Sequence, residues 1–358
     1  MKLAFRIKNI INLASNYRYH LSHKQQAYDI LNNIESIKGK LDPKIIRLSD
    51  EYAKEVLGWR GYAPWLYVYG AMTESFKEGW IPDNYYGKVV VPAAQGDYGN
   101  VSNLKLLAKK LFGSDLFPDI CYFVNGLWLS NRYEVLGEKV IKNILFNNSE
   151  VVVFKVDNSL QGRGVFFFDK TSFDTKIIQS LGNGVFQDYI TQHQFFDELI
   201  SNSVATLRIT SILDDRGVAS VRACYLRVGR NADTHVKSAS QIRIPIDLAS
   251  GELDAKGYLT NWLAIDKHPD TKVVFAGRKI PGFGKCISTV IELHKAVPYV
   301  RCIGWDVIID RNNNVKLMEW NGRHNGITFT EATQGPCFAD LGWEKIWRNS
   351  KIKTNPCK

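Results

Sequence analysis

The sequence predicts an α+β fold in which antiparallel sheets follow a helical N-terminal region. Three observations lead to this prediction. Residues 1–80 carry few strand signals and are mostly typical of helices. From residue 151 onwards, short β-branched runs occur in pairs that are separated by tight turns. Strands and helices also mix without the regular alternation that a parallel sheet requires.

The first 80 residues are predicted to form helices around an aromatic core. Gln25–Ile37 and Asp50–Leu57 contain few helix breakers, and Asp50 is a suitable N-cap. The aromatic stretch that ends at Trp80 indicates core packing, with a sugar-binding surface as the alternative. The valine run KVVVP, residues 88–92, predicts a short buried strand.

Three strand pairs are predicted in the rest of the chain. VVVFKV (151–156) and VFFF (165–168) form a hairpin with a glycine-bearing loop. ATLRITSIL and VASVRACYLRVG flank the turn at Asp215–Gly217. CIGWDVIID and VKLMEWN flank the turn RNNN, and a helix is expected at residues 284–296.

The loop after Lys155 has features of a phosphate-binding segment. Gly162 and Gly164 allow the backbone to approach phosphate oxygens, because no Cβ intervenes. Lys155 adds a positive charge at the end of the preceding strand. The segment is not a Walker A loop, since no Gly-Lys-Ser/Thr precedes a helix. A plain hairpin with a glycine turn is the alternative.

The last strand pair carries a candidate magnesium site. Glu319 and Asn321 are two residues apart and project to the same side of one strand. If the turn at residues 312–314 closes the hairpin, Asp306 lies across from them. Three hard oxygen ligands in this arrangement suit Mg²⁺, which keeps its other positions for phosphate and water. A surface hairpin with exposed acids is the alternative.

The charge and cysteine content of the chain limit the kinds of partner that we expect. The chain has 358 residues and a net charge of +10, and residues 1–50 supply half of this excess. A solvated basic face is one interpretation, and an anionic partner such as a membrane surface is the other. No nucleic-acid partner is expected, because zinc-finger, RNP and helix-turn-helix signatures do not accompany the charge. The six cysteines form no CxxC pair, which favours reduced thiols and a cytoplasmic location.

Residues 80–340 resemble the ATP-grasp superfamily, and more narrowly its sugar-transfer-associated family. The resemblance is carried, in order, by ISNSVATLRITSI, by YLRVGR with PIDLASGEL, by IPGFGK, and by IGWDVIID with LMEWNGR. It implies an ATP-grasp fold, in which two α+β subdomains hold ATP. The expected segments are a helical region (1–80), an N-terminal α/β part (81–150), a small lid (151–190) and a C-terminal subdomain with the metal and substrate site (191–350).

The resemblance implies ATP and Mg²⁺ as cofactors and assigns residues to them. Nucleotide-binding positions would be Lys105, Lys155, Gly162, Arg163, Gly164, Gln187, Tyr189, Ile190 and His193. Metal-binding positions would be Asp306, Glu319 and Asn321, while Arg208 and Lys155 would neutralise the transferred phosphate. Leu104 replaces the aspartate that usually precedes the first lysine. For His193, a histidine on a helix surface is an equal alternative.

Further basic residues are candidates for substrate contact. They are Arg222, Arg227, Arg230, Lys237, Arg323 and His324. Lys237 falls where the family has an Asp-Asn pair. Arg323 and His324 could equally be turn residues, and the three arginines could pair with acids at the edge of the core.

The implied reaction is ligation of a carboxylate to an amine through an acyl phosphate. Family context points to surface polysaccharides such as capsule, with a uronic-acid carboxylate and an amino-acid amine as the preferred pair. Two alternatives remain, a kinase that phosphorylates a sugar or lipid-linked acceptor and a nucleotide-binding module without turnover. The basic N-terminus leaves peripheral membrane contact open for this otherwise cytoplasmic protein.

Overall fold

The chain is organised in two units. In the computed structural model the described residues are 2–157, 159, 164–230 and 240–349. Met1–Asp97, Asn261–Ala264 and Gly326–Lys358 make up one unit, which we call the helical unit. Tyr98–Thr260 and Ile265–Asn325 make up the other, which we call the sheet unit. The predicted α+β class, with two antiparallel sheets and a helical N-terminal region, is confirmed.

Five helices open the helical unit. They are α1 (Lys2–Lys38), α2 (Pro43–Glu55), α3 (Ala63–Thr73), α4 (Asp83–Tyr85) and α5 (Val91–Ala94), with a 3₁₀ turn at Arg60–Tyr62. The predicted N-cap at Asp50 is wrong, since α2 begins at Pro43 and Asp42 caps it by accepting from the Lys44 amide at 2.8 Å. Proline in the first turn is the stronger start signal, because its missing N–H is not needed there.

The predicted strand at residues 88–92 is also wrong. This segment is helical, with a π-helical turn at Tyr86–Val90 that runs into α5. Val89 and Val90 are fully buried in the core of the helical unit. A short apolar run fits a buried helix as well as a buried strand, so tertiary packing overrides the β-propensity of valine here.

A six-stranded antiparallel sheet forms the first half of the sheet unit. Its strands are β1 (Asp119–Val124), β2 (Leu127–Ser130), β3 (Val135–Leu136), β4 (Val151–Val156), β5 (Val165–Asp169) and β6 (Gly184–Asp188), in the order β3-β2-β1-β6-β4-β5. Associated helices are α6 (Ala108–Phe112), α7 (Glu138–Leu145) and α8 (Thr175–Leu181). One face of this sheet packs against α7 and α8 through Phe154, Phe186, Ile141 and Ile178.

A seven-stranded sheet forms the second half. Its strands are β7 (Thr206–Leu213), β8 (Ala219–Val228), β9 (Ile242–Pro245), β10 (Gly257–Tyr258), β11 (Ala264–Ile265), β12 (Cys302–Ile309) and β13 (Val315–Asn321), in the order β11-β10-β9-β8-β7-β12-β13. The helix α9 (Gln194–Leu199) precedes it, and α10 (Phe283–Lys295) packs on one face with Ile209, Cys224 and Trp305. The chain returns to the helical unit at Asn261–Ala264 and again from Gly326 onwards, where α11 (Thr328–Thr333) is followed by 3₁₀ turns.

Each sheet is therefore apolar on the face that its helices cover. Side chains alternate along a strand, so the other face of each sheet receives the intervening residues. Those residues include Lys155 on β4 and Asp306 on β12. Within the described part of the chain, no helix is both long enough and apolar enough to cross a bilayer.

Candidate functional site

Lys155 lies on the face of the six-stranded sheet that is opposite to its aromatic core. Phe154 belongs to the core, so the neighbouring Lys155 and Val153 point to the other face. In the pairing of β4 with β6, Lys155 lies opposite Val185, and Val153 lies opposite Gln187. Lys155 and Gln187 are therefore diagonal neighbours on one face of the sheet.

The strands β7, β12 and β13 bring three charged residues into one row. Asp306 lies directly opposite Glu319 on β13 and directly opposite Arg208 on β7. Opposite residues in an antiparallel pair share a face, which here is the face away from α10. The hairpin register expected from the sequence is thus confirmed, and Asn321 lies opposite Gly304 in the same hairpin.

Asp306 is held between two arginines. Arg208 donates to it through Nε at 2.6 Å and Nη2 at 3.1 Å, and Arg227 donates through Nη1 at 3.2 Å. The third nitrogen of Arg208, Nη1, donates to the carbonyl of Asn325 at 3.1 Å. Gly304 makes room for this arrangement, since a Cβ there would lie 3.3 Å from Nη1 of Arg208 and 2.8 Å from Cβ of Asn325.

Two lysines connect the two sheets. Nζ of Lys155 donates to the carbonyl of Met318 on β13 at 3.2 Å. Nζ of Lys105 forms an ion pair with Oε1 of Glu319 at 3.2 Å, and its backbone amide donates to Asp157 at 2.9 Å. The polar faces of the two sheets therefore meet at these lysines.

The pKa shifts follow from burial and from these neighbours. Burial lowers the pKa of Lys155 to about 8, while Glu319 opposes the shift and Lys105 adds to it. Burial acts to raise the pKa of Asp306, but Arg208 and Arg227 outweigh it and hold that pKa below its usual range. The carboxylate of Asp306 is therefore ionised at neutral pH. Lys155 loses its positive charge at a pH only slightly above neutral.

The residues of the site fit a triphosphate with Mg²⁺. Four cationic side chains surround two carboxylates, namely Lys105, Lys155, Arg208 and Arg227 around Asp306 and Glu319. The excess of positive charge suits a polyanion.

Asn321 donates through Nδ2 to the carbonyl of Gly304 at 3.2 Å, so its amide oxygen remains to face a ligand. Within the described ranges, no group of three or more His, Cys, Asp or Glu side chains is placed to hold a metal. Two carboxylates and an amide oxygen are nevertheless hard donors of the kind Mg²⁺ takes.

The predicted base-binding residues lie at and beyond the end of β6. Gln187 is buried and donates through Nε2 to Oδ1 of Asp119 at 2.8 Å. Ile190 is buried, whereas Tyr189 is exposed and its ring centroid lies 6.2 Å from that of Phe167. His193 is the N-cap of α9, where its Nδ1 accepts from the Phe195 amide at 3.1 Å.

Of the predicted phosphate loop, only part is described. Gly162 and Arg163 lie outside the described residues. The carbonyl of Gly164 accepts from the Val156 amide at 2.9 Å and so closes the β4–β5 hairpin. A Cβ on Gly164 would lie 2.4 Å from Cβ of Ser159, so this position requires glycine unless the loop shifts.

The predicted substrate-binding residues are distributed over several places. Arg227 joins the charged row through Asp306, whereas Arg230 is held by Asp270 in a pair of hydrogen bonds of 2.8 and 2.7 Å. Arg222 is half-buried on β8. Arg323 and His324 are exposed after β13. Lys237 lies outside the described residues.

Two residues of the site carry no assignment from the sequence. Asp119 lies opposite Gln187 in the β1–β6 pairing, and Arg243 lies opposite Arg227 in the β8–β9 pairing. Burial lowers the pKa of Arg243 to about 10, with Arg227 adding to the shift. Arg243 could have been found from the pattern IRIP, in which it lies between two core isoleucines and so points to the polar face of the sheet. Asp119 could not, because its local sequence looks like that of any acidic residue at the start of a strand.

The chain matches the family described as sugar-transfer associated ATP-grasp over residues 175–341. The resemblance drawn from the sequence is confirmed over this segment. It contains Arg208, Asp306, Glu319 and Asn321, whereas Lys105 and Lys155 precede it. No curated protein sequence matches the chain significantly.

Several solved structures are similar to the chain at low identity. The biotin carboxylase domain of Hydrogenobacter thermophilus 2-oxoglutarate carboxylase, in complex with MgADP, ADP and bicarbonate, is 14% identical with a TM-score of 0.43, over 71% of this chain and 47% of that one. Campylobacter jejuni biotin carboxylase is 13% identical with a TM-score of 0.47, over 89% and 68%. An ATP-grasp ligase complexed with a minimal precursor is 11% identical with a TM-score of 0.41, over 72% and 64%. The chain thus spans about half the length of the first and about two thirds of the others.

Proposed function

From its match to the sugar-transfer associated ATP-grasp family, we propose that the chain is an ATP- and Mg²⁺-dependent ligase that joins a carboxylate to an amine. The observation that carries the proposal is the charged row of Arg208, Asp306 and Glu319, which two lysines from the facing sheet approach. Four cations and two carboxylates in a mostly buried setting suit phosphoryl transfer, in which catalysis is largely positioning and charge neutralisation.

The residues have distinct roles in the proposed reaction. Lys155 and Lys105 hold the phosphates of ATP, and Asp306, Glu319 and Asn321 hold Mg²⁺, which screens the phosphate charge when bound. Arg208 has five N–H groups, of which three are engaged by Asp306 and Asn325. Its two remaining N–H groups face the phosphoryl group that is transferred.

The proposed chemistry needs no protein nucleophile. An oxygen of the substrate carboxylate attacks the γ-phosphorus, and the bond between that phosphorus and the β–γ bridging oxygen breaks, which releases ADP. The amine then attacks the acyl carbon and loses a proton, and inorganic phosphate leaves. Arg208 neutralises the charge that develops in the first step.

The identities of the carboxylate and amine substrates are proposed from the family description and from the position of Arg227. The family description associates these proteins with sugar transfer, which favours a uronic-acid carboxylate on a surface polysaccharide or its precursor. An amino acid is the proposed amine. Arg227 lies beside Asp306 and keeps further N–H groups that could bind the substrate carboxylate.

Trapping with hydroxylamine tests the proposal. The purified protein is incubated with ATP, Mg²⁺ and a panel of uronic acids, and ADP and acyl hydroxamate are measured. We expect hydroxamate to form with at least one acid, and Arg208→Lys to lower its rate by about 100-fold. Arg216→Lys is the matched control, because Arg216 is an exposed turn residue paired with Asp214.

Three outcomes contradict the proposal. A stable phosphorylated sugar that forms without an amine identifies a kinase. ATP binding without any ADP release identifies a binding module. Equal rates for the Arg208→Lys and Arg216→Lys variants would remove Arg208 from the reaction.

A further inference from the structure

We propose that Asp119 is a positioning residue that makes the nucleotide site select adenine over 6-oxopurine bases. Asp119 acts through Gln187, whose side-chain amide it fixes in one orientation. The inference rests on the proposed function, because it concerns the ATP that this function requires.

The orientation of the Gln187 amide follows from chemistry. Its Nε2 lies 2.8 Å from Oδ1 of Asp119. Burial raises the pKa of Asp119, and the hydrogen bonds from Gln187 and Tyr122 oppose that shift. Because Oδ1 accepts from the NH₂ group of Gln187, the other end of the amide, Oε1, points away from Asp119. Gln187 is only 3% exposed, and among the described residues its Oε1 has no hydrogen-bond partner. A buried acceptor without a donor costs about 1–3 kcal/mol, which a ligand donor would relieve.

Asp119 is itself held in place. It is 6% exposed and lies directly opposite Gln187 in the β1–β6 pairing. The hydroxyl of Tyr122 donates to its other oxygen, Oδ2, at 3.0 Å. Both oxygens of Asp119 therefore accept hydrogen bonds, and the Gln187 amide is oriented by its contact with Oδ1 alone.

The surroundings of Gln187 suit a purine base. Val153 lies opposite Gln187 on β4, and Phe167 lies opposite Val153 on β5, so the three side chains share one face. Lys155 lies two residues from Val153 on the same face, about 7 Å along the strand. The apolar side chains of Val153 and Phe167 and the Oε1 acceptor of Gln187 thus adjoin the lysine that is proposed to hold phosphate.

The acceptor distinguishes bases by their group at position 6. Adenine carries an amino group there, which can donate to Oε1 of Gln187. Hypoxanthine and guanine carry an oxygen, which would place two acceptors against each other. A site built around a buried hydrogen-bonding group rejects a ligand that leaves that group unpaired. If the amide could rotate, its NH₂ group would serve the 6-oxo base instead, and Asp119 prevents this rotation.

The test measures dissociation constants of ATP and ITP, which differ at this edge of the base, for the full chain with Mg²⁺. We expect the wild type to prefer ATP by at least about tenfold. In Asp119→Asn, the new amide can either donate or accept, so Gln187 can rotate and the ratio should fall to within about threefold of one. The fall should come mainly from tighter ITP binding. The lost charge affects both triphosphates alike and cancels in the ratio.

Two further variants keep the test decisive. Tyr122→Phe removes the neighbouring hydrogen bond but leaves Gln187 on Asp119, so the wild-type ratio should persist. Gln187→Met removes the acceptor at similar size, and the ratio should approach one through weaker ATP binding. Its result stands even if Asp119→Asn does not fold.

The outcomes separate the two proposals. A wild type that binds neither nucleotide refutes the proposed function. A wild type that binds both nucleotides equally overturns the inference about Asp119 alone. The same holds for an Asp119→Asn variant that weakens both nucleotides by one factor and keeps the ratio, because that result indicates a purely structural role.

Discussion

Replacing Lys155 by methionine should make the protein more stable and less able to bind ATP. The lowering of the pKa of Lys155 from 10.5 to about 8 means that its buried charge costs about 3 kcal/mol of folding free energy at neutral pH. Methionine has a similar length and no charge. It also loses the hydrogen bond to the carbonyl of Met318, worth about 1 kcal/mol. The free energy of unfolding at pH 7 should therefore rise by about 2 kcal/mol.

The effect has a defined pH dependence. Between pH 8 and 10.5 the folded state binds fewer protons at Lys155 than the unfolded state does. The contribution of Lys155 to the free energy of unfolding therefore rises with pH across this window. The difference between Lys155→Met and the wild type should be largest at neutral pH and should shrink towards pH 10.

Urea denaturation at pH 7 and pH 10, together with calorimetric titration of ATP, measures these effects. Loss of a charge-assisted hydrogen bond to phosphate should weaken ATP binding by about 10- to 150-fold. Lys176→Met is the control, because Lys176 is exposed on α8 and should change neither quantity noticeably. A Lys155→Met variant that is less stable at pH 7, or that binds ATP as tightly as the wild type, would refute the reasoning.

Three other predictions concern charge. ATP affinity should fall as pH rises from 7 to 9, because Lys155 loses its proton near pH 8. Calorimetric titration of Lys155→Arg with ATP should show a weaker dependence of affinity on pH. Asp306→Asn leaves Arg208 and Arg227 without their shared carboxylate, so urea denaturation should show a loss of about 3 kcal/mol and ADP release should stop. Unchanged ADP release would contradict the metal assignment. Membrane contact through α1 stays a proposal: the first 28 residues hold five basic and no acidic side chains, and Leu13, Tyr17 and Leu21 are exposed. Sedimentation with anionic vesicles should capture the wild type but not Leu13→Asp/Leu21→Asp, and equal capture by neutral vesicles would count against it.

Much of the sheet unit could be predicted from local patterns. The hairpins at Val151–Asp169 and Cys302–Asn321 follow from short apolar and β-branched runs with polar turns between them, and both are present. The pairing of Asp306 with Glu319 is a consequence of that one turn. The valine run at residues 88–92 shows the limit, since its helical state depends on burial in the helical unit.

The sequence by itself determined which residues alternate on a strand and which turn joins two strands, because these properties depend on neighbours a few positions away. Only the tertiary structure decided which charges meet. Lys105 and Glu319 are 214 positions apart, and Lys155 and Met318 are 163 apart. The same holds for Asp119 and Gln187, which are 68 apart and meet through a strand pairing that no local pattern encodes. Contacts of this kind depend on how two sheets and their connections pack. The pairing of Asp306 with Glu319 was therefore predictable, whereas their contacts with Arg208, Lys105 and Lys155 were not.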